Sequence, residues 1–297
     1  MFGGFLRLAG HDVTLLGRER HVARIRERGL EIGGIWGEHC VSGLHCATLA
    51  TELTPPFDLV IVAVKSYALA EAAAALSGTL AEGGAVLSLQ NGLGNVETLA
   101  RFFPRERVLA APVLIGAAMP SPGSVRVTVY AKPVKIGVSG ETAISPLAAR
   151  TAAMLASAGI PAEATDRILA YLWEKVLYNA ALNPLGAILR RPYGALAAAP
   201  EGRAILDDVL DEGHAVATAD GVDLLWTTVA ECRRHFYEEL LPPTAHHRSS
   251  MLQDLENGRP TEIEAINGYL WRRGTELGVD TPVNAVLTRL IRLVESR

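Results

Sequence analysis

Cysteine is scarce in this chain: 297 residues hold three, Cys40, Cys46 and Cys232, and no C-x-x-C pair. An odd number without metal-ligand spacing excludes a disulfide framework and a zinc cage, and the three read as packing residues. His246-His247 has no neighbouring pattern that would complete a ligand set, so no metal site is expected. Long hydrophobic runs are missing too. Hydrophobic residues make up 49% of the chain, yet no uninterrupted stretch reaches the ~18 residues of a membrane span, and no signal peptide opens it. That pattern reads as a cytoplasmic protein without a membrane partner. Nor is there a block of like charge. With 28 Lys+Arg against 32 Asp+Glu, a formal net charge of -4, neither nucleic acid nor an anionic membrane is an expected partner, which leaves a small molecule.

What is present is enough chain for two domains. In the first half, apolar runs alternate with helical periods. Residues 12–16, 58–64, 85–89 and 108–115 read as strands, with helices over about 21–28, 67–80 and 95–103. The run at 58–64 is continuously apolar and β-branched, as a parallel strand buried on both faces should be. Alternation over 124–129 and 133–138 predicts an antiparallel flank, followed by a helix at 146–157 and a short strand at 160–164. Beyond that only helical periods remain. The prediction is an α/β Rossmann-like domain at 1–164 followed by an all-α domain at 165–297, the boundary resting on this change of period.

One helix of the second half carries an unusual seam. Lys175, Asn179 and Asn183, at i, i+4 and i+8, form one polar stripe about 12 Å long. Leu172, Val176, Leu177 and Ala180 fill much of the remaining circumference, the reverse of an ordinary surface helix. A lone lysine there would more often be solvated. Two asparagines weaken that explanation, because they cost helix propensity where Glu, Lys or Gln would serve a wet face better. Buried amides beside an ammonium suit a carbonyl or carboxylate, and a desolvated lysine can donate a proton near neutral pH.

In a doubly wound sheet, ligands bind outside the carboxyl ends of the strands. Arg18 follows the strand that would end in Asp or Glu for NAD, where a basic residue suits the 2′-phosphate of NADP; a surface arginine is the bland alternative. Lys65 and Asn91 end two further strands, and Gly92 and Gly94 would let the backbone approach a ligand closely. A second polar cluster spans 248–262. There Thr261 reads as an N-cap, with Glu262, Glu264 and Asn267 on the helix it opens.

The motif Lys175-x-x-x-Asn179-x-x-x-Asn183-Pro184, with Ser249-Ser250-Met251-Leu252-Gln253-Asp254 and Pro260-Thr261-Glu262-Ile263-Glu264-x-Ile266-Asn267-Gly268, resembles the ketopantoate reductase family. Residues 58–65 and Gln90-Asn91-Gly92-Leu93-Gly94 resemble that family's strand ends, in the same order. The resemblance implies an NADPH-dependent reductase (EC 1.1.1.169) converting 2-dehydropantoate to pantoate on the way to pantothenate and coenzyme A. By that likeness Lys175 protonates the carbonyl oxygen and Glu262 holds the resulting hydroxyl. Asn91, Asn179, Asn183 and Ser250 grip the substrate, and Arg18, Lys65, Asn91 and Glu262 lie near the cofactor.

Three departures bear on this. Tyr193 stands in Pro192-Tyr193-Gly194 where the family commonly has Asn, and His247 stands where an Asn often precedes Arg-Ser-Ser. Another branched 2-oxo acid is therefore an alternative substrate. The sequence also opens inside the first helix, so the first strand and its G-x-G-x-x-G turn are expected to be missing, encoded upstream of Met1. A non-catalytic remnant without cofactor binding is the third reading. A homodimer is expected if the helical domain exposes apolar surface.

Overall fold

The apolar runs become strands where both of their faces are covered. In the computed structural model, which describes residues 1–296, the first half runs α1 (Phe2–Leu8), β1 (Thr14–Leu16), α2 (Glu19–Arg28), β2 (Leu30–Gly34), β3 (His39–Val41), β4 (His45–Ala47), β5 (Phe57–Val62) and α3 (Leu69–Ala75). It continues through β6 (Leu80–Ser88), α4 (Asn95–Leu99), β7 (Val108–Ala110), β8 (Ile115–Ala118), β9 (Ser124–Tyr130), β10 (Val134–Val138), α5 (Pro146–Ser157) and β11 (Ala162–Ala164). The main sheet has five strands in the order β11-β10-β7-β6-β5, parallel from β5 through β7. Along β6, Ala85 and Leu87 enter the core on one face and Val86 the core on the other, the two-sided burial that such runs require. Strands β1 and β4 form a separate parallel pair, and β3-β2-β9-β8 a four-stranded sheet. That flank is mixed rather than antiparallel, because β2 pairs in parallel with β9.

Of the expected elements that end early, two do so for a local reason. The strand expected at 108–115 stops at Ala110; Pro112 has no N–H for a ladder, and the chain re-enters at Ile115 in the other sheet, against β9. The helix expected at 67–80 spans only Leu69–Ala75, and Gly78, at φ +79°, turns the chain towards β6.

The second half is helical: α6 (Ile168–Leu189), α7 (Tyr193–Ala197), α8 (Pro200–Ala219), α9 (Val229–His235), α10 (Ser250–Glu256), α11 (Asn267–Leu277) and α12 (Pro282–Glu295). Arg297, the last residue of the all-α unit expected at 165–297, lies outside the described residues. Helix α6 is the axis. It is buried around most of its circumference, with α8, α10 and α12 packed on it. Pro184 sits inside it and cannot donate to the Ala180 carbonyl one turn back. Asn267 Nδ2, at the start of α11, donates to that oxygen at 3.0 Å instead.

The two halves are also tied by charge. Lys132, between β9 and β10, donates to Glu174 Oε1 on α6 at 2.8 Å, and His235 Nε2 reaches the same oxygen at 2.7 Å. Burial pushes the Glu174 carboxyl up, but His235 and Lys132 outweigh it and hold the group below its usual range.

Candidate active site

Because β5 and β6 are parallel, their carboxyl ends fall on the same edge of the sheet, and Lys65 and Asn91 follow them towards the helical half. What they meet is Glu262. Asn91 Nδ2 donates to Glu262 Oε2 at 2.9 Å, Lys65 Nζ to the same oxygen at 3.4 Å, and the Ser66 N–H to Oε1 at 3.1 Å. Asp254, buried on α10, accepts from Lys65 Nζ at 2.5 Å and lies 3.3 Å from an Arg259 nitrogen. Burial alone would lower the Lys65 pKa; Glu262 and Asp254 together outweigh it and carry the group upward. Lys65 is a fixed cation.

Lys175 behaves differently. It is 6% exposed, and among the described residues no side-chain hydrogen bond or ion pair holds its ammonium. Burial pulls its pKa from 10.5 to about 8, against the opposing field of Glu262. An amine that titrates near neutrality and is committed to no partner can deliver a proton. Asn179 and Asn183 follow on the same stripe, both buried. Among the described residues Asn179 Nδ2 has no acceptor, whereas Asn183 Oδ1 accepts from the Tyr193 hydroxyl at 2.5 Å. A buried amide nitrogen left unpaired costs about 1–3 kcal/mol, which an acceptor on a ligand would relieve.

Ser250 opens α10, half-exposed, while Ser249 is buried and caps that helix, its Oγ accepting from the Leu252 N–H at 3.0 Å. Arg18 stands apart. It follows β1 and Gly17 at the N-terminus of α2, exposed, and its guanidinium makes no hydrogen bond or ion pair with the residues above. A free guanidinium at that strand end is chemically matched to a phosphate.

The 261–267 segment differs from expectation. Thr261 Oγ1 accepts from the Ile263 N–H at 3.2 Å, but only a 3-10 turn at Ile263–Ala265 follows, and α11 begins at Asn267. Glu262 is therefore an anchor for strand-end donors, not a first-turn partner of a helix dipole, and Glu264 pairs with Arg272 and Arg292 instead. The close approach expected of a ligand at Gly92 is made by the protein itself: at φ +87°, a Cβ there would sit 2.3 Å from the Ala265 carbonyl oxygen. Asp254 closes the 249–254 motif but has no role in the sequence reading. An acid in a polar run looks solvated until its partner, 189 positions away, is known.

No helix among the described residues is long and apolar enough to cross a membrane. The model of the family described as ketopantoate reductase PanE/ApbA matches residues 1–141, and that of its C-terminal domain matches residues 167–295. The 2-dehydropantoate 2-reductase of Aquifex aeolicus is 35% identical over 98% of this chain and 92% of its own length. That of Halobacterium salinarum is also 35% identical, over 99% and 95%. Among solved structures, a PanE/ApbA family ketopantoate reductase from Ralstonia eutropha superposes with a TM-score of 0.87 at 36% identity, covering 99% of this chain and 94% of that one. A D-mandelate dehydrogenase in ternary complex with NADH and anilino(oxo)acetate superposes with a TM-score of 0.90 at 28% identity, with the same coverage. Sequence and fold agree over nearly the whole chain, which belongs to the ketopantoate reductase family.

Proposed function

We propose that this protein reduces 2-dehydropantoate to pantoate with NADPH. The observation that carries the reading is Lys175: buried, with no partner among the described residues and its pKa drawn down to about 8, on a helix face that also holds an amide nitrogen without an acceptor among them. When bound, the reduced nicotinamide supplies a hydride to the keto carbon. Lys175 gives its proton to the carbonyl oxygen, so the products are the 2-hydroxy acid, the oxidised cofactor and a neutral amine that regains its proton from solvent. Developing alkoxide charge is stabilised by the ammonium aimed at it in a dry site. Glu262, already holding Asn91, Ser66 and Lys65, accepts from the new hydroxyl. Asn91, Asn179, Asn183 and Ser250 hold the acid. Arg18 meets the 2′-phosphate, and Lys65 lies against cofactor or substrate.

The same reading takes 1–164 as the cofactor domain and 165–297 as the substrate domain. The three free cysteines, Cys40 among them exposed, support a reducing cytoplasm. Val286, Leu290 and Leu293, exposed at i, i+4 and i+7 of α12, support a homodimer through that face, which sedimentation would measure. One observation favours a second substrate. Tyr193 occupies the Asn183 carbonyl and His247 packs on its ring, centroids 5.4 Å apart, so another branched 2-oxo acid is the alternative. Turnover with NADPH on a panel of 2-oxo acids tests both: the largest kcat/KM should fall on 2-dehydropantoate, and preference for a different acid would move the assignment there.

A further inference from the structure

Tyr193 is buried, at 2% exposed, and among the described residues its hydroxyl has a single partner, the Asn183 carbonyl oxygen at 2.5 Å. The surroundings hold the phenol in place from several sides. Its ring meets Tyr178 edge-on, centroids 5.9 Å apart, and His247 at 5.4 Å. Its backbone N–H donates to the His247 carbonyl at 3.2 Å, and the Gly194 N–H to the Ala245 carbonyl at 2.8 Å. Tyr178 is itself pinned by a hydrogen bond to Thr244 at 2.7 Å. The start of α7 is thus fastened to the 244–247 turn, and the phenol has no freedom to swing away.

We infer that Tyr193 is a positioning residue for substrate: by occupying the Asn183 carbonyl, it forces that amide to offer the 2-oxo acid only its N–H2 end. This rests on reading the Lys175–Asn183 stripe as the substrate face. A primary amide has one accepting and one donating end, and a carboxylate only accepts. An unrestrained asparagine can turn either end outward, and one of the two orientations sets oxygen against oxygen. With the carbonyl filled, Asn183 turns its nitrogen outward as a donor beside the Lys175 ammonium, while between them the Asn179 nitrogen is buried with no acceptor among the described residues. Burial holds Tyr193 as a neutral phenol, well above the ordinary tyrosine range, so the bond keeps its direction at any pH used for assay. A solely structural Tyr193 would need its ring but not this hydroxyl.

The test is steady-state kinetics with 2-dehydropantoate and NADPH on the intact enzyme and on Tyr193→Phe, Asn183→Ala and the double variant. Phenylalanine keeps the ring contacts and removes only the hydroxyl. The expected result is a rise of about tenfold in KM for the 2-oxo acid, the size of one lost hydrogen bond. KM for NADPH should stay unchanged and kcat within about threefold. In the Asn183→Ala background the same substitution should do nothing more. A Tyr193→Phe enzyme with the parent KM, while Asn183→Ala binds weakly, would overturn the positioning role, as would losses that simply add in the double variant. An Asn183→Ala enzyme with the parent KM for every 2-oxo acid tried would instead remove the stripe as the substrate face, and the role of Tyr193 with it. Should Tyr193→Phe fold poorly, calorimetric binding of pantoate to Asn183→Asp supplies a second reading. That residue still accepts from the phenol but turns an oxygen outward, so affinity should fall at least as far as in Asn183→Ala, and unchanged affinity would overturn the proposal.

Discussion

Lys65 and Asp254, 189 positions apart in the chain, meet at 2.5 Å across the junction between the sheet and the helices. The aspartate is almost wholly buried and the lysine about one-third exposed, at 4% and 32%. Removing Asp254 would leave Lys65 with only the longer contact to Glu262 and strand Arg259 beside it. Asp254→Ala should lower unfolding stability by about 2–4 kcal/mol, read from urea denaturation; a loss under about 0.5 kcal/mol would show the pair to be dispensable. The folded-state pKa of Lys65 is raised. Its contribution is therefore complete at neutral pH and fades only as pH climbs above the ordinary lysine value.

Proton delivery by Lys175 has a pH signature. Its folded pKa is about 8, and reduction needs the protonated form, so the reductive rate should fall as pH rises through that value while oxidation of pantoate improves. Lys175→Ala should cut kcat about 100-fold or more and abolish this dependence. An unchanged profile in that variant would assign the proton to another group.

The same lysine should weaken the fold it serves. Because its folded pKa lies below its unfolded one, the charged form is penalised by folding; the penalty is complete below about 8 and disappears as pH rises towards 10.5. Lys175→Met should therefore melt a few degrees higher than the parent at pH 7, and the gap should close by pH 10. A variant less stable than its parent at pH 7 would show that the ammonium is better accommodated than its burial implies.

Cofactor choice is tested at Arg18. Its guanidinium is exposed and unpaired with the site residues, so Arg18→Ala should raise KM for NADPH about tenfold or more and leave that for NADH within about twofold. Equal losses for both cofactors would show that this residue does not read the 2′-phosphate.

What was legible in the sequence follows from locality. Lys175, Asn179 and Asn183 could be grouped because helical periodicity alone puts them on one face, and Lys65 and Asn91 because strand ends of a parallel sheet converge. Glu262 was found, but in the wrong setting, since a Thr-Glu pair ahead of an apolar run looks like a helix start whether or not the helix forms. Asp254 stood in its motif without a role, because its meaning lies in an ion pair across the fold. Gly92 looked like a place for a ligand, although its lack of a side chain serves the Ala265 carbonyl. Pro112 hides inside an apolar run, although its missing N–H is enough to end a strand.

The bond between Asn267 and the Ala180 carbonyl exists because Pro184 leaves that oxygen unclaimed. The two side chains belong to different helices and never need to touch, yet the amide, which also holds the Asn284 side-chain carbonyl at 2.9 Å, supplies what the proline lacks. A lineage that regained an N–H at position 184 would leave the amide at 267 with only its bond to Asn284 to make. A lineage that lost the amide while keeping the proline would bear an orphaned carbonyl within its reactive lysine helix. Substitutions at these positions should therefore be inherited as a pair, a record of helix chemistry written in which changes travel together.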